Sequence, residues 1–341
     1  MQMRDDLGIT TKLENGKAYL EFVLPEKIGR LLSALQIEIW EEAEGGRLVF
    51  HGEYSSEEAD CMTALLLRPH LWDSMRDPYV YLVKAQGRFR SVEYREKMGG
   101  MEKEEKLDSA EDITGEVEMY WRQELTIYDV RVVEKKGILL NEKEFLPHEV
   151  VYRLPPQISD AGMRVEQVRR DLERLARMGV NAIRLEGTGS GAEGVNCSEV
   201  RTFYSLCRKR GFLTGDLWIR PENLPVYRGL PGETTCQALL AADGRTLTER
   251  YYYYQAKWSS EPVLYPVLST LHRQENGLLS LTIYSNQKKM VLYVDGLLFL
   301  FQTTTSGDLE FIFEDIPVEK LPLHLAVEAG NLSISLTVSK I

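Results

Sequence analysis

The stretch RVEQVRRDLERLARMGVNAIR, residues 164–184, decides how the middle of this chain folds. Its apolar residues recur at helical spacing, and a glycine stands where the residue after a helix end belongs: Val165, Val168, Leu172, Leu175, Met178, then Gly179. The apolar run VNAIRLEG (180–187) follows at once and has the composition of a buried strand. A helix that leads directly into an apolar strand indicates an α/β unit.

The alternation of helix and strand continues on both sides of this stretch. Residues 149–154 are strand-like, a second helix is predicted over 198–210, and FLTGDLWI (212–219) is a third strand. Consecutive βα units imply a parallel sheet with right-handed crossovers. Residues 221–250 are rich in proline and glycine and are predicted to be largely irregular.

Short β-rich runs separated by turn signals precede this α/β segment. They predict an antiparallel sandwich of the immunoglobulin type, with strands at 17–24, 33–42, 46–54, 62–68, 79–86 and a closing strand at 124–134. The charged stretch 98–116 is interpreted as a mobile excursion between strands.

A second β-rich region follows the α/β segment. Asp295-Gly296 predicts a two-residue hairpin within it, and its strands are expected at 278–285, 289–294, 297–302, 308–314, 322–329 and 332–339. The fold class is therefore multidomain and β-rich. The predicted modules are a sandwich over 1–134, an incomplete α/β segment over 135–258 and a C-terminal sandwich over 259–341.

Composition and charge exclude several classes of partner. The 341 residues contain 41 Lys and Arg against 52 Asp and Glu, a formal net charge of −11. This field disfavours nucleic acid and anionic membranes, whereas it does not affect a neutral sugar. The sequence has no apolar run long enough to span a membrane, no recognisable secretory signal and no CxxC pair. We therefore expect a cytoplasmic protein with reduced cysteines. No cofactor and no metal are expected.

Six separated strings resemble, in the correct order, sequences of the family 2 glycoside hydrolases (the β-galactosidase and β-glucuronidase type). They are LWDSMRDPYVYL (71–82), YDVRVVEKKGILLNEKEF (128–145), RVEQVRRDLERLARMGVNAIR (164–184), FYSLCRKRGFL (203–213), GRTLTERYYYYQAKWSSEPVLYPV (244–267) and LTIYSNQKKMVLYVDGLLFLF (281–301). The resemblance implies an immunoglobulin-like sandwich, a (β/α)₈-type barrel and a second sandwich. It also implies that the family's N-terminal jelly roll is absent.

The central segment is too short for a whole barrel. About 200–250 residues are needed, whereas the matched ends leave only residues 139–258. The resemblance implies that the fourth to seventh strands are missing, and in that family those strands carry the acid/base and nucleophilic glutamates. Asn141-Glu142 lies in a predicted turn and Pro221-Glu222-Asn223 has the reversed order, so neither replaces them.

The predicted function is therefore that of a catalytically inactive relative acting in carbohydrate binding or protein assembly. The alternative is an active exo-glycosidase, either with relocated carboxylates or completed by a partner chain. An incomplete parallel sheet also has open edges. We expect residues 221–250 to cover these edges within the chain. Otherwise a homo-oligomer or a partner chain is expected to cover them.

A residual ligand pocket is predicted where two strands end. Arg184, Glu186 and Asp216 follow the second and third strands, the end at which barrel sites are built, and Trp218 is a candidate platform for a sugar ring. The structural alternative is an arginine–carboxylate pair that neutralises a partly buried charge. His148, with no second histidine nearby, is expected to have a structural role rather than to bind metal.

Overall fold

A computed structural model describes residues 7–41, 46–90, 115–155, 161–186, 197–215, 224–230, 238–304 and 307–340. The chain divides into two compact units, Met1–Leu146 and Pro147–Ile341. No helix within these ranges is long and apolar enough to cross a membrane.

The first unit is almost entirely β in its described part. Its elements are β1 Gly8–Glu14, β2 Lys17–Val23, α1 Glu26–Gly29, β3 Leu32–Glu41, β4 Leu48–Ser55, β5 Met62–Leu67, β6 Tyr81–Arg90, β7 Glu116–Leu125, β8 Val130–Val133, β9 Gly137–Leu140 and β10 Lys143–Phe145. The antiparallel sheets β1-β2-β5 and β4-β3-β6-β7 form the sandwich, and β8, β9 and β10 form a small separate sheet.

The sandwich is held by strict alternation of buried and exposed side chains. In β2, Ala18, Leu20 and Phe22 are buried while the residues between them are exposed. The same period along β3 and β5 brings apolar side chains from both sheets into one core. Trp72, in the stretch that resembles the family's immunoglobulin-like domain, is 1% exposed.

The prediction for the closing strand was wrong. Residues 124–134 do not form one strand, because β7 (Glu116–Leu125) completes the larger sheet and β8 begins only at Val130. The alternation of polar and apolar residues along EVEMYWRQEL indicates this strand, and its first residue lies in the charged stretch interpreted as an excursion between strands. Most of the stretch predicted to be mobile lies outside the described residues, but its last residue, Glu116, begins this strand.

The second unit begins with the α/β segment and continues into the C-terminal sandwich. Its elements are β11 Glu149–Tyr152, α2 Ala161–Met178, β12 Ala182–Leu185, α3 Cys197–Arg210, β13 Leu213–Thr214, β14 Val226–Arg228, β15 Ala238–Leu240, α4 Glu249–Trp258, β16 Leu264–Arg273, β17 Leu279–Ser285, β18 Lys289–Val294, β19 Leu297–Thr303, β20 Glu310–Ile316, β21 Leu323–Ala329 and β22 Leu332–Val338.

The central sheet is parallel throughout its described strands, with the order β13-β12-β11-β14-β15. Five described strands stand where a full barrel has eight. The expectation that residues 221–250 are irregular was wrong in part, since β14 and β15 lie there. Each has only three residues, so pairing decides their conformation rather than local propensity: β14 pairs with β11, and β15 pairs with β14.

The outer edge of β15 is covered by the chain that follows it. The amide of Thr248 donates to the carbonyl of Leu239 at 3.0 Å, and its hydroxyl donates to the carbonyl of Ala238 at 2.7 Å. The amide of Ala241 donates to the carbonyl of Thr246 at 2.9 Å, which closes the connecting turn. One edge of the sheet is thus protected within the chain.

The helices α2, α3 and α4 pack on one face of this sheet. Alternate strand residues such as Tyr152 and Leu185 join Leu172, Phe203 and Tyr251 of these helices in one buried cluster. The strand residues between them, including Glu149 and Arg184, therefore point to the opposite face. A one-sided layer of helices is the arrangement of a barrel wall.

The C-terminal sandwich consists of the antiparallel sheets β16-β17-β20 and β19-β18-β21-β22 around their own core. Asp295 and Gly296 have φ of 46° and 81° and join β18 to β19, which confirms the predicted hairpin. The strand β16 was not predicted. It pairs with β17, and both strands contact helix α4.

Candidate functional site

A buried ion pair lies on the face of the central sheet opposite the helices. Arg184 on β12 donates from Nε to Oε1 of Glu149 at 3.0 Å. The side chain of Glu149 is fully buried and that of Arg184 is 11% exposed. In the parallel register Glu149 pairs with Ala182, and Val151 pairs with Arg184. Glu149 and Arg184 are therefore offset by two residues on adjacent strands and lie on the same face of the sheet. The pair thus neutralises two charges that the sheet has buried.

A second arginine–carboxylate pair lies at the carboxyl ends of the strands. Glu186 follows β12, and both of its carboxylate oxygens accept from the guanidinium of Arg153, which follows β11. Nη1 of Arg153 also donates to the carbonyl of Arg228 at the end of β14, at 3.2 Å. The side chain of Glu186 is 46% exposed. Arg153 thus ties together the ends of three strands.

The two predicted pocket residues that the structure describes have different partners. Arg184 pairs with Glu149 and Glu186 pairs with Arg153, instead of with each other. Asp216 and Trp218 lie outside the described residues. Glu149 was not among the predicted site residues, although an acidic residue at the start of the otherwise apolar strand EVVY indicates a buried partner.

Asp171 on α2 is the centre of a buried polar network behind the sheet. Its carboxylate is completely buried and accepts from the side chains of four residues: Tyr152 at 2.9 Å, Tyr227 at 3.1 Å, Arg228 at 2.6 Å and Gln167 at 2.9 Å. Burial, followed by the charge of Asp171, raises the pKa of both tyrosines, so they remain protonated donors. The network joins α2 to β11 and β14.

His148 lies at a junction where three elements end or begin. Its Nδ1 donates to the carbonyl of Gly179 at 2.8 Å, just beyond α2, and its ring stacks on Trp258 at the end of α4, with centroids 5.2 Å apart. Its amide donates to Oδ1 of Asn181 at 2.7 Å. These contacts give His148 the structural role that the sequence predicted.

The junction predicts a pH dependence of stability. Burial lowers the pKa of His148 in the folded chain, the hydrogen bond to Gly179 opposes that effect, and the charge of Lys257 adds to it. The unfolded chain binds a proton near the ordinary value of ~6.5, so the stabilising effect of neutral His148 is complete above that pH and is lost progressively below it. Urea unfolding at a series of pH values measures this loss. A His148→Gln variant with the same slope in acid as the unaltered protein contradicts it.

The described residues include two free cysteines, Cys61, which is exposed, and Cys207, which is buried. No group of three or more His, Cys, Asp or Glu side chains in this described part of the chain is arranged to hold a metal ion. Cys207 on α3 is buried, and burial raises the pKa of its thiol well above the ordinary value. It therefore has the low reactivity expected of a cysteine on the apolar face of a helix.

The tyrosines Tyr251–Tyr254 of α4 are used in packing on both sides of the helix. Tyr251 is buried and donates from its hydroxyl to the carbonyl of Arg174 at 2.8 Å. Tyr252 stacks on Tyr265, with ring centroids 3.7 Å apart, and Tyr253 meets Tyr284 edge-on at 5.5 Å. Both partners belong to the C-terminal sandwich. This helix therefore fastens the α/β segment to that sandwich.

The sequence matches no protein-family model and no curated protein. Solved structures do match the fold. An FMN-binding β-glucuronidase from Faecalibacterium prausnitzii L2-6 aligns with a TM-score of 0.63 and 13% identity over 99% of this chain and 74% of its own. A β-glycosidase from Bacteroides vulgatus aligns with a TM-score of 0.64 and 12% identity over 99% of this chain and 65% of its own.

A family 2 glycosyl hydrolase from Bacteroides cellulosilyticus DSM 14838 gives a TM-score of 0.60 and 13% identity, over 98% of this chain and 62% of its own. This chain thus spans less than two thirds of the length of two of these three enzymes. Its strand order and its two sandwiches agree with the architecture that the resemblance implied. The chain has, in shortened form, the β-rich multidomain fold of the family 2 glycoside hydrolases.

Proposed function

We propose that this protein is a cytoplasmic relative of the glycosidases that binds carbohydrate without hydrolysing it. One observation carries the proposal: the two described carboxylates nearest the expected site, Glu149 and Glu186, are each bound by a separate arginine. Retaining hydrolysis requires two carboxyl groups ~5–5.5 Å apart, one acting as an acid and the other as a nucleophile. Oxygens already occupied by a guanidinium are poorly placed for either role.

The proposal keeps the three-module division of 1–134, 135–258 and 259–341. Three separate hydrophobic clusters support it, one in the first sandwich, one between the central sheet and its helices, and one in the C-terminal sandwich. It also keeps protein assembly as a second role. The edge strand β15 is covered within the chain, so a homo-oligomer or a partner chain would bind at the other edge strand, β13.

Hydrolysis assays test the proposal directly. We expect the purified full chain to release no nitrophenol from nitrophenyl β-galactoside or β-glucuronide above the chemical background. The competing function is an exo-glycosidase with repositioned acids, in which Glu186 and Asp216 act as the pair. Turnover that disappears in both Glu186→Gln and Asp216→Asn would establish that function and refute ours.

A further inference from the structure

A cleft of about 730 Å³ lies between helix α4 and the C-terminal sandwich, inside the second unit. Four half-buried tyrosines and several charged side chains line it, and we call it the tyrosine cleft. The argument depends on the four tyrosines Tyr253, Tyr254, Tyr265 and Tyr284 and on the charged residues Glu249, Arg250 and Glu310. Sites for small molecules have volumes of about 300–1,000 Å³ and are lined by aromatic side chains with a few polar groups.

The rings of the tyrosine cleft are fixed by their packing. Tyr253 meets Tyr254 at 5.6 Å with an angle of 86° between the rings, and it meets Tyr284 at 5.5 Å with an angle of 74°. Tyr265 is stacked on Tyr252, which lies behind it. A site whose side chains are already ordered loses little conformational entropy when a ligand arrives.

The polar groups of the tyrosine cleft are fixed in the same way. Both carboxylate oxygens of Glu249 accept from Ser269, from its amide at 3.0 Å and its hydroxyl at 2.6 Å. The guanidinium of Arg250 lies 5.7 Å from the ring of Tyr254. Burial is the main cause that raises the pKa of Tyr284, and the charge of Glu310 is the second. The phenol of Tyr284 is therefore a neutral donor at physiological pH.

The chemistry of the lining selects a class of ligand. Phenol rings offer apolar faces, and phenol, carboxylate and guanidinium groups offer many hydrogen bonds, which together suit a polyhydroxylated ring. The two carboxylates, Glu249 and Glu310, outnumber the single guanidinium of Arg250. Because the net charge of the chain is also −11, an anionic ligand is disfavoured.

We propose that the tyrosine cleft binds a neutral mono- or disaccharide. This inference rests on the proposed carbohydrate-binding function and names its site and ligand class, at a cleft whose lining includes neither Arg184 nor Glu186. The ligand would lie against the tyrosine rings, and its hydroxyls would exchange hydrogen bonds with Glu249, Arg250 and Glu310.

Isothermal titration of the full chain with glucose, lactose, cellobiose and maltose tests the inference, with glucuronate as the anionic counterpart of glucose. We expect at least one neutral sugar to bind more tightly than glucuronate. Tyr253→Ala should weaken that binding tenfold or more. Glu310→Ala, at an exposed position that does not hold the fold, should weaken it several-fold. The matched control is Tyr120→Ala, which removes a 68% exposed tyrosine from the first unit and should change nothing.

The outcomes separate this inference from the function on which it rests. Saccharide binding that survives both cleft substitutions but is lost in Glu186→Ala refutes the tyrosine cleft and leaves carbohydrate binding in place at the strand ends. Tighter binding of glucuronate than of every neutral sugar overturns the charge argument and the inference with it. Absence of binding by any sugar tested refutes both proposals.

Discussion

Replacing Gly179 with alanine should destabilise the second unit by about 3 kcal/mol or more, through two independent effects. Gly179 ends helix α2 with φ of +88°, a left-handed conformation that costs an L-residue about 1–2 kcal/mol. A Cβ at this position would also lie 2.4 Å from the carbonyl oxygen of Trp258 and 2.8 Å from the amide nitrogen of Ser259. These are backbone atoms that cannot rotate away, and forced overpacking costs about 1–3 kcal/mol more.

A matched glycine isolates the second effect. Gly296 lies in the same unit with φ of +81°, and a Cβ there would meet nothing within 4 Å. Gly296→Ala should therefore cost only the conformational part, about 1–2 kcal/mol. Urea unfolding of both variants, followed by circular dichroism, measures the difference. Equal losses would mean that the chain beside Trp258 yields easily and that the close approach has no structural importance.

Replacing Asp171 with asparagine should cost about 3–5 kcal/mol, because it leaves a buried arginine without its counter-charge. Arg228 is 7% exposed at its side chain and donates to Asp171 at 2.6 Å. Asparagine has nearly the same shape as aspartate, so little packing is lost. The expected loss therefore comes from the charge and from the hydroxyls of Tyr152 and Tyr227 that point at it.

The control lies on the same helix, two residues further on and therefore on a different face. Glu173 pairs with Arg210 at 2.7 Å, with both side chains nearly half exposed. Exposed pairs contribute about 0–1 kcal/mol, so Glu173→Gln should shift the thermal midpoint little while Asp171→Asn shifts it by many degrees. If the two variants unfold together, the network around Asp171 does not hold the central sheet to its helix.

The regular spacing of apolar residues made most of the fold predictable from the sequence. The stretch 164–184 gave α2 and β12 because its apolar residues follow the helical period until Gly179 and then become continuous. The strands β14 and β15 could not be found in this way. They are three residues long, and a strand so short is defined by the neighbour with which it pairs. For β14 that neighbour is β11, more than 70 residues away in the sequence, and β15 in turn pairs with β14.

The candidate site was predictable only in part, for a related reason. The sequence placed Arg184 in the second strand and Glu186 just after it, since strand ends can be located from apolar runs. Their partners could not be found in this way, because Glu149 and Arg153 belong to β11 and the turn after it. Only the parallel register shows that they lie beside β12.

The turn that brings Thr248 back onto β15 explains how a shortened sheet of this kind avoids an open edge. Removing strands from a closed barrel exposes a row of amides and carbonyls that would join to any similar edge. In this chain residues 246–248 form hydrogen bonds with this edge and lead directly into α4. A shortened chain without this segment would present the bare edge of β15 and would be prone to edge-to-edge association with other copies.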